Sequence, residues 1–260
     1  MATNAPAQQP QRQVAARGDR FYFRFSVFIL AVGVLGFAPT YWLQLPAGTV
    51  DVPAIIHLHG IVFTAWLVLL VVQSWLASQG RLRNHRAWGL SGISLATLVF
   101  ALGVVGAVAA LKLHLDRGEG DAARAFFIIP FTSVSGFALF FAAAIANVRR
   151  PDWPKRFMIV ATLSLVAAAV GRFFFFSNNG MLPGVSPISM PYGPVINNLR
   201  VALVTDGVIL FAMIRDWRVE GRVHPAWMWG FGGLLAIGLL RIPFSGTSAW
   251  FAFADWMARF

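Results

Sequence analysis

Long apolar runs separated by short polar connections set the pattern of this chain. Seven runs, at about residues 21–42, 52–78, 85–111, 125–148, 157–176, 195–214 and 226–242, approach or exceed the roughly 20 residues a helix needs to cross a hydrocarbon core of about 30 Å. One soluble core could not hide them all. The pattern predicts an all-α integral membrane protein with one seven-helix domain over 19–260. Residues 1–18, rich in Ala, Gln, Pro and Arg without an apolar period, are expected to form a disordered tail, and the run after them is too long for a signal core. The aromatic-rich end, 248–260, is expected to be a short interfacial helix.

Local punctuation refines these boundaries. Pro53 suits the first turn of the second run, Asn84 is a candidate N-cap for the third, and Pro130 is expected to kink the fourth. Gly92, Gly103 and Gly106 predict close helix contact along the third. A polar loop is expected over 112–124, and the Pro- and Gly-rich segment 177–194 is expected to fold back as a cap.

The basic residues then give a direction. Arg12, Arg17, Arg20 and Arg24 precede the first run, and Arg81, Arg83 and Arg86, the 149–156 turn and Arg215, Arg218 and Arg222 fall in alternate connections on the same side. The opposite side has Lys112, Arg117, Arg124 and Arg259, diluted by Asp51, Asp116, Glu119, Asp121 and Asp255. The positive-inside rule therefore predicts a cytoplasmic N-terminus and an external C-terminus. The net charge of +11 follows from these loops, so anionic lipid headgroups are the expected counter-charge and nucleic acid is not.

Cysteine is absent, which excludes disulfides, iron–sulfur clusters and thiolate chemistry. Both lysines lie at span boundaries, so no embedded amine exists for a retinal Schiff base. The ionisable residues inside the spans are the informative ones, because charge at such depth usually faces a bundle interior or a wet cavity. His57, His59, Arg172, Arg200 and Arg241 fall in the predicted outer leaflet, with Asp206 nearer the middle. One reading is an outward-facing pocket in which His57 and Asp206 do proton chemistry while His59, Arg172, Asn197, Arg200 and Arg241 bind the oxygens of a ligand, with no metal. The other is structural: Arg172 pairs with Asp206, and Arg200 and Arg241 snorkel to headgroups.

Residues two apart on a helix point about 200° apart, so at most one of His57 and His59 faces a given site. His57, on a small-residue stripe with Gly60 and Thr64, is the expected inward one. His85 and His224 could form a pair at the cytoplasmic ends of the third and seventh spans, or each could cap its own helix. The 173–176 phenylalanine run and the many tryptophans are expected to meet lipid.

The motifs His57-Leu58-His59-Gly60 with Trp66, Gly80-Arg81 with His85-Arg86, Lys155-Arg156-Phe157-Met158, Gly221-Arg222-Val223-His224-Pro225, and Ser245-Gly246-Thr247 with Ala249-Trp250 resemble a family of uncharacterised multi-pass membrane proteins of sphingomonad-type and other alphaproteobacteria. The resemblance covers nearly the whole chain after the tail and implies a bacterial inner membrane without an assigned reaction. Relatives often carry His where this chain has Pro154, which weakens an inner metal or haem site built on His85 and His224. A looser likeness to b-type membrane cytochromes is one of fold only. The functional expectation is a binding or redox module for a lipophilic, oxygen-bearing ligand such as a quinone, with haem b as a further cofactor candidate. The alternative is a non-catalytic subunit of a membrane complex or a small-molecule transporter, and the partners considered are the lipid bilayer and a larger membrane complex or homo-oligomer.

Overall fold

The computed structural model describes residues 8–180, 188, 190 and 192–260, with side chains from residue 20 onward. It is all-α among these residues, and seven of its helices are long and apolar enough to cross a membrane. The helices are α1 Gln8–Phe37, α2 Ala54–Ser78, α3 Leu82–Asp116, α4 Gly120–Ala146, α5 Asp152–Asn179, α6 Asn198–Glu220 and α7 Pro225–Phe244, followed by a shorter α8, Ser248–Met257. Large apolar side chains such as Leu35, Ile61, Leu90, Leu139 and Trp229 are exposed around the outside, as a multi-pass membrane protein requires.

The boundaries correct several expectations. The predicted disordered tail is helical from Gln8 and continuous with α1, whereas 1–7 lie outside the described residues. Asn84 is not the N-cap of α3, which starts two residues earlier at Leu82 and runs to Asp116, shrinking the expected polar loop to a tight turn ahead of Gly120. The turn is closed by backbone bonds from Gly118 to Leu115 O and from Glu119 to His114 O, so the polar residues of 112–116 belong to the helix. A π-helical turn, Ala38–Trp42, ends α1 and buries Thr40 and Tyr41.

Helices α1 to α5 form a closed ring in sequence order, with α5 returning to pack on α1. That closure depends on Gly36, where an added Cβ would stand 2.6 Å from the carbonyl oxygen of Ala169. Helices α6 and α7 pack together against α5, α7 also reaches α4, and α8 lies on α4. There Trp250 donates to Arg124 O at 2.8 Å and Arg124 pairs with Asp255 at 2.7 Å.

The end of the bundle carrying the basic connections is tied by charge. Arg156 is fully buried in α5 and reaches Asp216 of α6 through Nε at 2.9 Å and Nη2 at 2.6 Å, with Glu220 at 3.1 Å. Asp216 also accepts from Trp227 Nε1 of α7 at 3.0 Å. Three helices thus meet on one carboxylate. Toward the middle, Trp66 packs edge to face on Phe137 and Phe141, and Trp66 Nε1 donates to Thr162 Oγ1 at 3.2 Å.

Candidate functional site

Beyond the Trp66 layer, the ring opens into a cavity of about 590 Å³, lined by α1 to α5, the start of α6 and the described part of the α5–α6 connection. Its α2 wall is Ile56, His59, Gly60, Phe63, Thr64 and Leu67, a stripe with the three- and four-residue spacing of one helical face. His59 is therefore the histidine that faces the cavity. His57 does not line it; its Nδ1 instead bonds the Tyr41 hydroxyl at 2.8 Å, and Tyr41 is the group that lines the wall. Gly60 and Thr64, expected on the stripe of His57, belong instead to the face of His59, and Ile61 beside them is 62% exposed.

The missing room for an aromatic stripe comes from the glycines of α3. A Cβ at Gly106 would lie 3.1 Å from His59 Nδ1, and one at Gly103 would lie 3.2 Å from Phe63. His59 stacks on Phe63 at 4.0 Å and its Nδ1 lies 3.0 Å from Leu102 O. A carbonyl only accepts, so Nδ1 is the N–H donor there and Nε2 has no hydrogen-bond partner among the described residues.

Arg172 also lines the cavity, with its guanidinium 3.9 Å from the Phe37 ring centre and Nη1 donating to Ala168 O at 2.9 Å. The expected structural pairing of Arg172 with Asp206 is not formed. Asn197 and Arg200 are exposed at the mouth, and Asn198 stands between them and the interior. Thus His59, Arg172, Asn197 and Arg200 come together as one set.

Asp206 and Arg241 do not join that set. They line a separate hollow of about 20 Å³ behind it, whose wall shares Asn198, Ser133 and Val201 with the large cavity. Nor does Arg241 snorkel. It is 7% exposed, and its guanidinium bonds Thr132 Oγ1 at 2.6 Å, Asn198 Oδ1 at 2.9 Å, Ser133 Oγ at 2.8 Å and Ile129 O at 3.2 Å. The three acceptors on α4, Ile129 O, Thr132 Oγ1 and Ser133 Oγ, flank Pro130, whose missing N–H weakens the α4 ladder at this level.

Of the expected cap over 177–194, the first residues extend α5 to Asn179, and residues 181–187, 189 and 191 lie outside the described set. Ile188, Met190, Tyr192, Gly193 and Pro194 line the cavity. Tyr192 stacks between Phe126 at 3.9 Å and the fully buried His114 at 3.6 Å. His114 in turn places both ring nitrogens against acceptors, Glu119 Oε1 at 2.7 Å and Ile188 O at 3.1 Å. Burial pushes the Tyr192 phenol up from its ordinary range, so it stays a hydroxyl at neutral pH.

The expectation that the aromatic run meets lipid is corrected in part. Phe174 and Phe175 line the cavity, as do Trp42 and Trp66, while Phe173 is 45% exposed. Sequence reasoning also missed Tyr41 and Tyr192. Gly92, Gly103 and Gly106 of α3 meet Leu69, Val134, Phe63 and His59 rather than either tyrosine, so they did not mark these two.

Toward the basic end, His85 and His224 make separate local bonds. His85 Nδ1 donates to Gln73 O at 3.2 Å, and His224 Nδ1 caps α7 by accepting from Ala226 N at 3.1 Å. His85 lies inside α3 and caps nothing. No group of three or more His, Asp or Glu side chains suited to a metal ion occurs among the described residues. Compared with protein-family models, curated proteins and solved structures, the chain matches none.

Proposed function

We propose that this protein is a binding module of a bacterial inner membrane whose outer-leaflet cavity takes a lipophilic ligand carrying hydrogen-bonding oxygens, with a quinone as the best-fitting class. The observation that carries this reading is the cavity itself. Its volume of about 590 Å³ falls in the range of small-molecule sites, and its walls are mostly aromatic and aliphatic with a few polar groups. The lining supplies aromatic rings for a flat headgroup, Phe63, Phe126 and Phe175 among them, with Arg172 and Asn198 as donor types for its oxygens and His59 Nε2 as an acceptor for a hydroxyl. The inner-membrane assignment and the outward direction of the cavity rest on the family resemblance and the loop charges.

A haem held between two imidazoles fits this cavity less well, because His59 is the imidazole that lines it among the described residues. A transport path is also less favoured. The Trp66, Phe137 and Phe141 layer fills the ring beneath the cavity, with the Arg156 cluster beyond it.

Trp42 and Trp66 make the cavity testable by their own fluorescence. Titration of the purified protein with decylubiquinone is expected to give saturable quenching, and Ala110→Phe, which fills the cavity from α3, is expected to abolish it. Non-saturable quenching, equal in the parent and Ala110→Phe, would count against a quinone site.

A further inference from the structure

Asp206 lies about two turns into α6 and is 4% exposed, yet neither carboxyl oxygen has a hydrogen-bond partner among the described residues. A buried carboxyl group without donors is costly in either protonation state, and more so when ionised. The charged group facing it from a neighbouring helix is Arg241 of α7; α4 presents Thr132 and Ser133, α5 presents Ser164, and α6 itself adds Asn198 and Thr205. Arg241 makes no direct bond to it. After its bonds to Thr132, Asn198, Ser133 and Ile129, one Nη1 hydrogen remains unassigned.

The hollow between these groups, about 20 Å³, has room for a single water, which needs roughly 10–15 Å³ by the same kind of measure and two to four polar partners. The hydroxyl, amide and guanidinium groups around it supply them. A water here would donate to Asp206 and accept from Arg241, giving the carboxyl a partner and both charges a bridge.

Asn198 connects this hollow to the large cavity. Its Oδ1 accepts from Arg241, so its Nδ2 is the group left to donate, and it has no partner among the described residues. A ligand oxygen accepting from Nδ2 polarises the amide and strengthens the Arg241 bond at Oδ1. That draws the guanidinium toward Asn198 and away from the carboxyl.

We propose that Asp206 and one buried water form a proton site whose occupancy is linked, through Arg241 and Asn198, to ligand binding in the large cavity. Binding takes one proton from solution onto an Asp206 oxygen, and release returns it. No electrons move and no bond of the ligand changes. The link to a quinone rests on the function proposed above, whereas the proton site does not.

Two measurements on the protein in lipid nanodiscs separate these parts. Without ligand, infrared spectra of the parent are expected to show a protonated-carboxyl carbonyl band that grows as pH falls, shifts in heavy water and is missing from Asp206→Asn. Indistinguishable spectra for the two proteins overturn the proton site. With decylubiquinone as probe, affinity is expected to rise as pH falls, by at most about tenfold per pH unit for one linked proton. This dependence should persist in His59→Ala, which removes the cavity imidazole, and vanish in Asp206→Asn. Its persistence in Asp206→Asn overturns the linkage. If decylubiquinone fails to bind while the infrared band is present, the quinone reading fails and the proton site stands.

Discussion

Two acidic residues ten positions apart on α6 have opposite surroundings. Asp216 at the basic end receives Arg156, Arg215 and Trp227, with its side chain fully buried. Asp206 receives no hydrogen bond from any described residue, beside a hollow and behind a cavity. Buried charge is tolerable when geometry satisfies it, so the first carboxylate holds helices together. The second is left open at some cost in stability, and such open polar groups are what a site needs. One end of the bundle is closed by bonds already made, and the other is lined by groups with bonds left to make.

The largest expected effect comes from breaking the closed end. Asp216→Asn leaves the buried Arg156 guanidinium without its main counter-charge and is expected to cost about 3–5 kcal/mol in unfolding stability in detergent. If stability stays within about 1 kcal/mol, Arg156 is not held as its geometry implies. At the open end, His59→Ala removes one hydrogen bond to the ligand and should weaken decylubiquinone binding about five- to tenfold while leaving the melting temperature nearly unchanged. A large loss of stability with unaltered affinity would assign His59 to structure instead.

The same substitution as at Asp216 has the opposite sign at Asp206. Asp206→Asn keeps the shape and removes a poorly solvated acid, so stability is expected to be unchanged or raised by about 1 kcal/mol. A loss comparable to that of Asp216→Asn would erase the contrast between the two ends.

The smallest effect concerns the cap at His224. Burial and the nearby Arg156 lower its pKa from the ordinary 6.5, so the folded protein holds it neutral, accepting from Ala226. As pH falls through about 6.5 the unfolded imidazole binds a proton first, which favours unfolding, so the cap's contribution is present above that pH and fades below it. His224→Ala should cost about 0.5–1 kcal/mol at pH 8 and less at pH 5.5, as read by thermal unfolding at the two pH values. An equal cost at both would remove protonation from the account.

These contrasts also explain what the sequence could reveal. The seven spans were legible because crossing a membrane demands a long apolar run, and that demand is local. The placing of His59 and Arg172 in one cavity was legible because ionisable groups inside a span have few places to go, whereas Asn197 and Arg200 join them from the exposed mouth. The facing of His59 over His57 was not, since it depends on Gly103 and Gly106 of another helix making room for rings. The Arg156–Asp216 pair, 60 residues apart, was hidden because both residues looked like ordinary loop-end charges. The available clue was Asp216 and Glu220, two acids one turn apart at an end otherwise rich in Arg.

The order of the ring sets which part of the chain secures the cavity. Because α1 to α5 close on one another in sequence order, the five ring helices that wall most of the cavity precede α6 and α7 in the chain. Arg241, the last of the bonded groups along the chain, fastens α4 at Thr132 and Ser133. The α4 wall of the cavity is thus fastened by a residue that the chain supplies only after all five ring helices.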